Sequence, residues 1–197
     1  MTLWTIQPEE LYHSILKTGK YICDPLQFNM PEFAEMNNWL VLQMKKRIGD
    51  PPAEVTYPVW AWHTQRSKRY KPDLRSERWA NGYDGEKLVC LEIEVPDEQV
   101  LLSDFDLWLL ILLDSMITET EEEDSKLAEI YKSLTPQKQL EMKYENWTRV
   151  FDVTPFENEW MRRGSWIQAT FWVLTKDMIK KVRYFKSAKH REQPRNK

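Results

Sequence analysis

The sequence predicts an α+β fold, and three observations carry that reading. Lys87–Val95 alternates strictly, with Val89, Leu91, Ile93 and Val95 on one face and Cys90, Glu92 and Glu94 on the other. Ser165–Leu174 also alternates, with Ile167, Ala169, Phe171 and Val173 against Trp166, Gln168, Thr170 and Trp172. Both of its faces are apolar enough for an internal strand. Between and around these strands lie stretches of helical spacing bounded by proline and glycine, with no internal repeat and no heptad array.

The elements follow in order. Leu3–Gln7 reads as a strand, Trp4 and Ile6 facing one way and Thr5 and Gln7 the other. Pro8 suits the first turn of a helix, Glu9 and Glu10 suit the positive end of its dipole, and Gly19 stops it. Pro31 opens a second helix, in which Phe33, Met36, Leu40 and Met44 recur at helical spacing. Gly49, Pro51 and Pro52 end it. Pro58–Thr64 is a strand with Trp60 and Trp62 on one face and Ala61 and His63 on the other. The basic stretch around Pro72–Arg75 reads as loop. Ser103 or Asp104 caps a helix carrying the apolar run from Leu107. Polar helices fill residues 120–162, Lys181–Phe185 is a last short strand, and residues 188–197 form a flexible basic tail beyond one domain of residues 1–187.

Composition narrows the function classes. A chain of 197 residues with 42% hydrophobic and 30% charged content is long and apolar enough to build a core. Ten tryptophans against five glycines suit a dense aromatic interior and also a cleft that stacks planar ligands. The formal charge of −3 argues against nucleic-acid affinity driven by total charge. Locally, however, Arg66, Lys68, Arg69, Lys71, Arg75 and Arg78 crowd one loop. Cys23 and Cys90 make no disulfide framework and fit a reducing compartment. The first residues lack a signal peptide's pattern, and the longest apolar run, Leu107–Leu113, is far short of the ~20 residues of a membrane helix. The expectation is a cytoplasmic protein without membrane contact. There is no phosphate-binding glycine loop, no hydrolase elbow, and no metal-ligand spacing around His13, His63 or His190, so no metal and no tightly bound cofactor are expected.

The motifs W-T-I-Q, P-D-L-R, L-L-S-D-F-D-x-W and I-Q-A-T-F-W resemble, over nearly the full length, a bacterial family of domains of unknown function. The opening strand, helix and glycine, LWTIQ-PEELYHSILKTG, and the closing segment WIQATFWVLTKDMIKKVRYF are similar, more remotely, to ADP-ribosyltransferase-like domains. That likeness implies two small packed antiparallel or mixed sheets with flanking helices and a cleft for NAD, as a substrate, between them. It places Thr5 or Gln7 against the nucleotide, and Trp60, Trp62 or Tyr83 against the nicotinamide. Gln168 then stands where such enzymes carry the glutamate that stabilises the cationic sugar.

Two departures bear on catalysis. Thr5 replaces the usual Arg or His, and Gln168 replaces the glutamate. Losing a group that stabilises developing charge typically costs ~10²–10³-fold in rate. Gln168 therefore points to a binding module or a slow enzyme, unless Asp104 or Asp106 supplies the acid. His63 stays eligible as a base because imidazole titrates near neutrality. In the basic loop, Arg69, Lys71 and Arg75 could clamp phosphates of a nucleotide or an RNA strand, or be merely solvated, with Asp73 pairing Arg75. The paired Glu92 and Glu94 read as a solvated strand face. The alternatives to a nucleotide-binding transferase-like domain are a non-enzymatic RNA- or nucleotide-binding module, with nucleic acid on the 66–78 loop, and a protein-interaction module.

Overall fold

A computed structural model describes residues 1–24, 31–75 and 85–187. Arg78, Trp79, Tyr83, His190 and the 188–197 tail lie outside the described residues. The chain is α+β. The elements run β1 (Thr2–Pro8), α1 (Glu9–Thr18), β2 (Lys20–Tyr21), α2 (Ala34–Ile48), β3 (Val59–Thr64), β4 (Lys87–Glu94), β5 (Leu101–Asp104) and α3 (Phe105–Leu112). They continue with α4 (Glu121–Ser133), α5 (Pro136–Trp147), β6 (Phe156–Glu157), β7 (Arg162–Arg163), β8 (Ile167–Phe171), β9 (Leu174–Thr175) and β10 (Ile179–Lys186).

The expected pair of packed sheets is corrected. Six strands form one antiparallel sheet in the order β10-β4-β1-β3-β8-β5, and β2-β9 and β6-β7 are separate two-stranded ribbons. The joint in the middle is unusually thin. β1 pairs with β4 at every residue from Thr2 to Pro8, and β3 pairs with β8 from Val59 to Thr64. Between β1 and β3 the register holds a single partner pair, Trp4 with Trp62. Beyond it the ladder between the two strands ends, so that two three-stranded halves meet at one seam.

Each face of the sheet covers its own core. Alternation sends Leu3, Val59, Ala61, Val89, Leu91, Ile93, Ala169 and Phe171 to the face that receives Ile15 of α1. Trp60, Leu101 and Trp172 go to the opposite face, against Trp39, Leu40, Met44, Leu107, Trp108, Ile111 and Trp147 of α2, α3 and α5. Most of the tryptophans are thus core. Trp39 lies edge-on to Trp147 at 5.5 Å between ring centroids and stacks on Phe151 at 5.7 Å.

Local chemistry sets the ends. Gly19 closes α1 in the left-handed conformation, φ 83°, its N–H donating to Ile15 O. Pro31–Phe33 forms a 3-10 turn before α2. Asp104 caps α3 by accepting from Leu107 N at 3.0 Å, which decides between the two expected caps. Strand β5 was not expected. Leu101–Asp104 has no alternation of its own and becomes a strand only because β8 offers it an edge. The closing strand is longer than expected, eight residues along β4. The long internal strand is shorter, breaking after Phe171 before β9 pairs with β2.

Candidate functional site

Where β1 and β3 part, a cavity of about 650 Å³ opens. That volume lies within the range of small-molecule sites. Thr5, Ile6 and Gln7 of β1 form one side, and Val59–Trp62 of β3 the other. Phe105, Trp108, Leu109 and Leu112 of α3 roof it, Gln168 of β8 reaches it from the neighbouring strand, and Tyr21, Cys23, Phe33 and Asn37 complete the wall. Among the described residues the lining carries no charged side chain.

The aromatic wall is held by packing. Trp60 lies 5.4 Å from Trp108, and Trp62 lies 5.2 Å from Phe105 and 5.8 Å from Trp166, centroid to centroid. A short polar chain crosses the gap between the halves. Gln7 Nε2 donates to Thr5 Oγ1 at 2.9 Å, and Thr5 Oγ1 donates to Trp60 O at 2.9 Å. The threonine hydroxyl thus stands in for a main-chain bond that the two strands do not make there. Gln168 is only 5% exposed, and its Nε2 has no hydrogen-bond partner in the protein. Its direct cross-strand neighbours are Trp62 on one side and Ser103 on the other, and Ser103 Oγ is also unpartnered. Buried polar atoms without partners are uncommon and call for an explanation.

Five of the residues singled out from the sequence therefore meet: Thr5, Gln7, Trp60, Trp62 and Gln168. The others do not line this cavity. Arg75 is 90% exposed and held by Asp73 in a two-pronged pair, Nε to Oδ1 at 2.9 Å and Nη2 to Oδ2 at 2.7 Å. That pair holds the Asp73 carboxyl down at about 2. Arg69 donates to Thr2 O at 2.7 Å, and Lys71 is exposed. The loop is pinned further on, where Arg183 donates to Pro72 O at 2.9 Å. His63 is the extra residue of a β-bulge in β3, its Nδ1 2.8 Å from Thr64 Oγ1. Burial, and then the Arg69 charge, push its pKa down to about 4, so it is neutral at pH 7.

Neither aspartate supplies the absent acid. Asp104 is fully buried, and both of its oxygens are engaged, Oδ1 by Leu107 N and Oδ2 by Gly164 N at 2.6 Å. Burial raises its pKa, which the two N–H donors only partly oppose. Asp106 sits on α3 away from the lining. Glu94 is exposed, but Glu92 is only 22% exposed and paired rather than freely solvated, salt-bridged to Lys181 at 2.8 Å and accepting from Trp4 Nε1 at 3.4 Å. The Cys23 thiol lines the cavity, but burial pushes it up to about 11, so at neutral pH it is a small apolar group rather than a nucleophile.

Sequence reasoning missed Phe105, Trp108, Asn37 and Cys23. The signal for the first two lay within the L-L-S-D-F-D-x-W motif, whose two aromatic residues both face the cavity. The family profile described as "Domain of unknown function (DUF3841)" matches residues 2–180. The chain belongs to the DUF3841 family. No curated protein sequence and no solved structure matches this DUF3841 domain. Among its described residues no group of three His, Cys, Asp or Glu could hold a metal ion, and no helix is long and apolar enough to cross a membrane.

Proposed function

We propose that this DUF3841 chain is an ADP-ribosyltransferase-like domain that binds a nucleotide of the NAD class through its ring and does so chiefly as a binding module. The observation that carries the reading is the convergence of Thr5, Gln7, Trp60, Trp62 and Gln168 on one cavity at the seam between two half-sheets. Indole faces suit planar rings, and a few oriented polar groups in an apolar cleft suit recognition of one edge.

Chemistry at the site favours binding over transfer. Cleaving the glycosidic bond of NAD leaves positive charge on the sugar, which a carboxylate stabilises best in a dry cleft. The described lining has no carboxylate, its polar side chains being neutral amides, hydroxyls and the Cys23 thiol. Calorimetric titration with NAD and ADP-ribose, run beside a radiolabelled transfer assay, tests both halves. Heat of binding with little or no transferred label is expected. Absence of heat with either ligand overturns the nucleotide reading, and brisk transfer overturns the preference for binding. A phosphate clamp on the exposed loop of Arg66, Lys68, Arg69 and Lys71 is a second reading, favoured by their exposure. It gives binding that weakens steeply with salt and ignores changes at Gln168.

A further inference from the structure

The lining of the seam cavity says more about the ligand than its size does. Six aromatic side chains, Tyr21, Phe33, Trp60, Trp62, Phe105 and Trp108, line it, and no charged group among the described residues does. An ionic group entering there would shed water without meeting a counter-charge, which is strongly unfavourable in an apolar site. The polar inventory is small. The Thr5 proton is already given to Trp60 O, and one Gln7 N–H is already given to Thr5. Among the lining side chains, Gln168 is the one with a buried polar atom that has no partner, its amide nitrogen.

An amide's terminal torsion is soft and roughly two-fold, so Gln168 can present either end to the cavity. Turned one way, its N–H groups face the cavity; turned the other, its oxygen does. A ligand with a hydrogen-bond acceptor therefore relieves the amide's buried deficit, and a ligand offering only donors does not.

Resting on the nucleotide-binding reading above, we propose that the cavity selects an uncharged planar ring bearing a hydrogen-bond acceptor, that Gln168 is the residue that reads the acceptor, and that any phosphate of the ligand stays outside the cavity. Nucleobases and ring carboxamides have this chemistry.

Two small probes of nearly one shape test the claim. Benzamide presents a carbonyl and no charge, and benzamidine presents only donors and a positive charge. Saturation-transfer NMR titrations of the full chain with each probe and with NAD give three affinities. Benzamide should bind roughly ten- to hundredfold tighter than benzamidine, the range set by leaving a buried donor unmet. Gln168→Leu, a near-isosteric apolar change, should cut that preference about tenfold, the share of the acceptor contact, leaving the share due to benzamidine's charge and leaving the far-ultraviolet circular dichroism intact. The probe comparison on the unaltered chain needs no variant and so stands even if Gln168→Leu misfolds. Equal affinity of the two probes, or a preference that Gln168→Leu leaves unchanged, overturns this inference while NAD binding still upholds the nucleotide reading. Selective benzamide binding without NAD binding does the reverse. Silence from all three ligands overturns both.

Discussion

His63 shows how a residue's surroundings cancel its chemistry. A strand histidine beside a basic loop is an eligible base, yet burial and the Arg69 guanidinium hold it neutral down to about pH 4. Its folded pKa is depressed below the ordinary 6.5, so its contribution to stability is present above that value. The contribution is lost as pH falls towards 4, because the unfolded chain takes up the proton first. The melting temperature should therefore decline through that window, and His63→Asn should flatten that part of the melting-temperature profile. Gly164 is a sharper case. Its φ of 79° is in the left-handed region, and a Cβ there would sit 2.6 Å from Pro155 Cα and 2.8 Å from Pro155 N. Its N–H also serves Asp104, the buried cap of α3. Gly164→Ala should cost about 2–4 kcal/mol from backbone strain plus overlap, read by urea denaturation.

Among the elements, the helices on the cavity side are braced by one buried cation. Lys143 of α5 is 7% exposed, and its ammonium meets Asp114 just past α3 at 2.7 Å and Glu35 of α2 at 3.1 Å. It also lies 5.0 Å from the Trp147 ring. Both carboxylates are about half exposed, so they remain solvated when the lysine is removed. Lys143→Ala should cost about 1–3 kcal/mol, mainly through lost packing of the stem and the charge pairing, again by urea denaturation. The strands and helices were legible in the sequence wherever a period repeated, as in β4 and in the glycine stop after α1. Strand β5 was not, because four residues without alternation acquire their state from a neighbour 67 positions away, Leu102 facing Ala169. For the site, Trp60, Trp62 and Gln168 were legible from strand alternation and from likeness to other domains. Arg75 misled because charge density says where cations cluster, not which of them an adjacent Asp73 has already taken. Phe105 and Trp108 were hidden because an apolar helix face reads the same whether it meets a core or a cavity.

For the molecule as a whole, the decisive feature is the seam. No local pattern announces that the β1–β3 ladder is limited to Trp4 and Trp62, since pairing between strands some 58 residues apart is a tertiary outcome. Amides of β3 over Val59–Ala61 that point towards β1 should exchange with deuterium faster than those pointing to β8. Saturating ligand should slow them and add about 2.7 kcal/mol of stability at a hundred times Kd. Isotope-exchange mass spectrometry with and without NAD reads both rates.

A sheet that is continuous yet tethered at one rung has a mechanical consequence. Widening the gap between its halves like a clamshell breaks one rung and a threonine contact rather than a full ladder, so the resistance lies in the apolar layer beneath, where Leu3, Val89 and Leu91 of one half pack with Val59, Ala61 and Ala169 of the other. Thr5, the small side chain that latches the two valves, is then the place where a substitution would alter how far they gape.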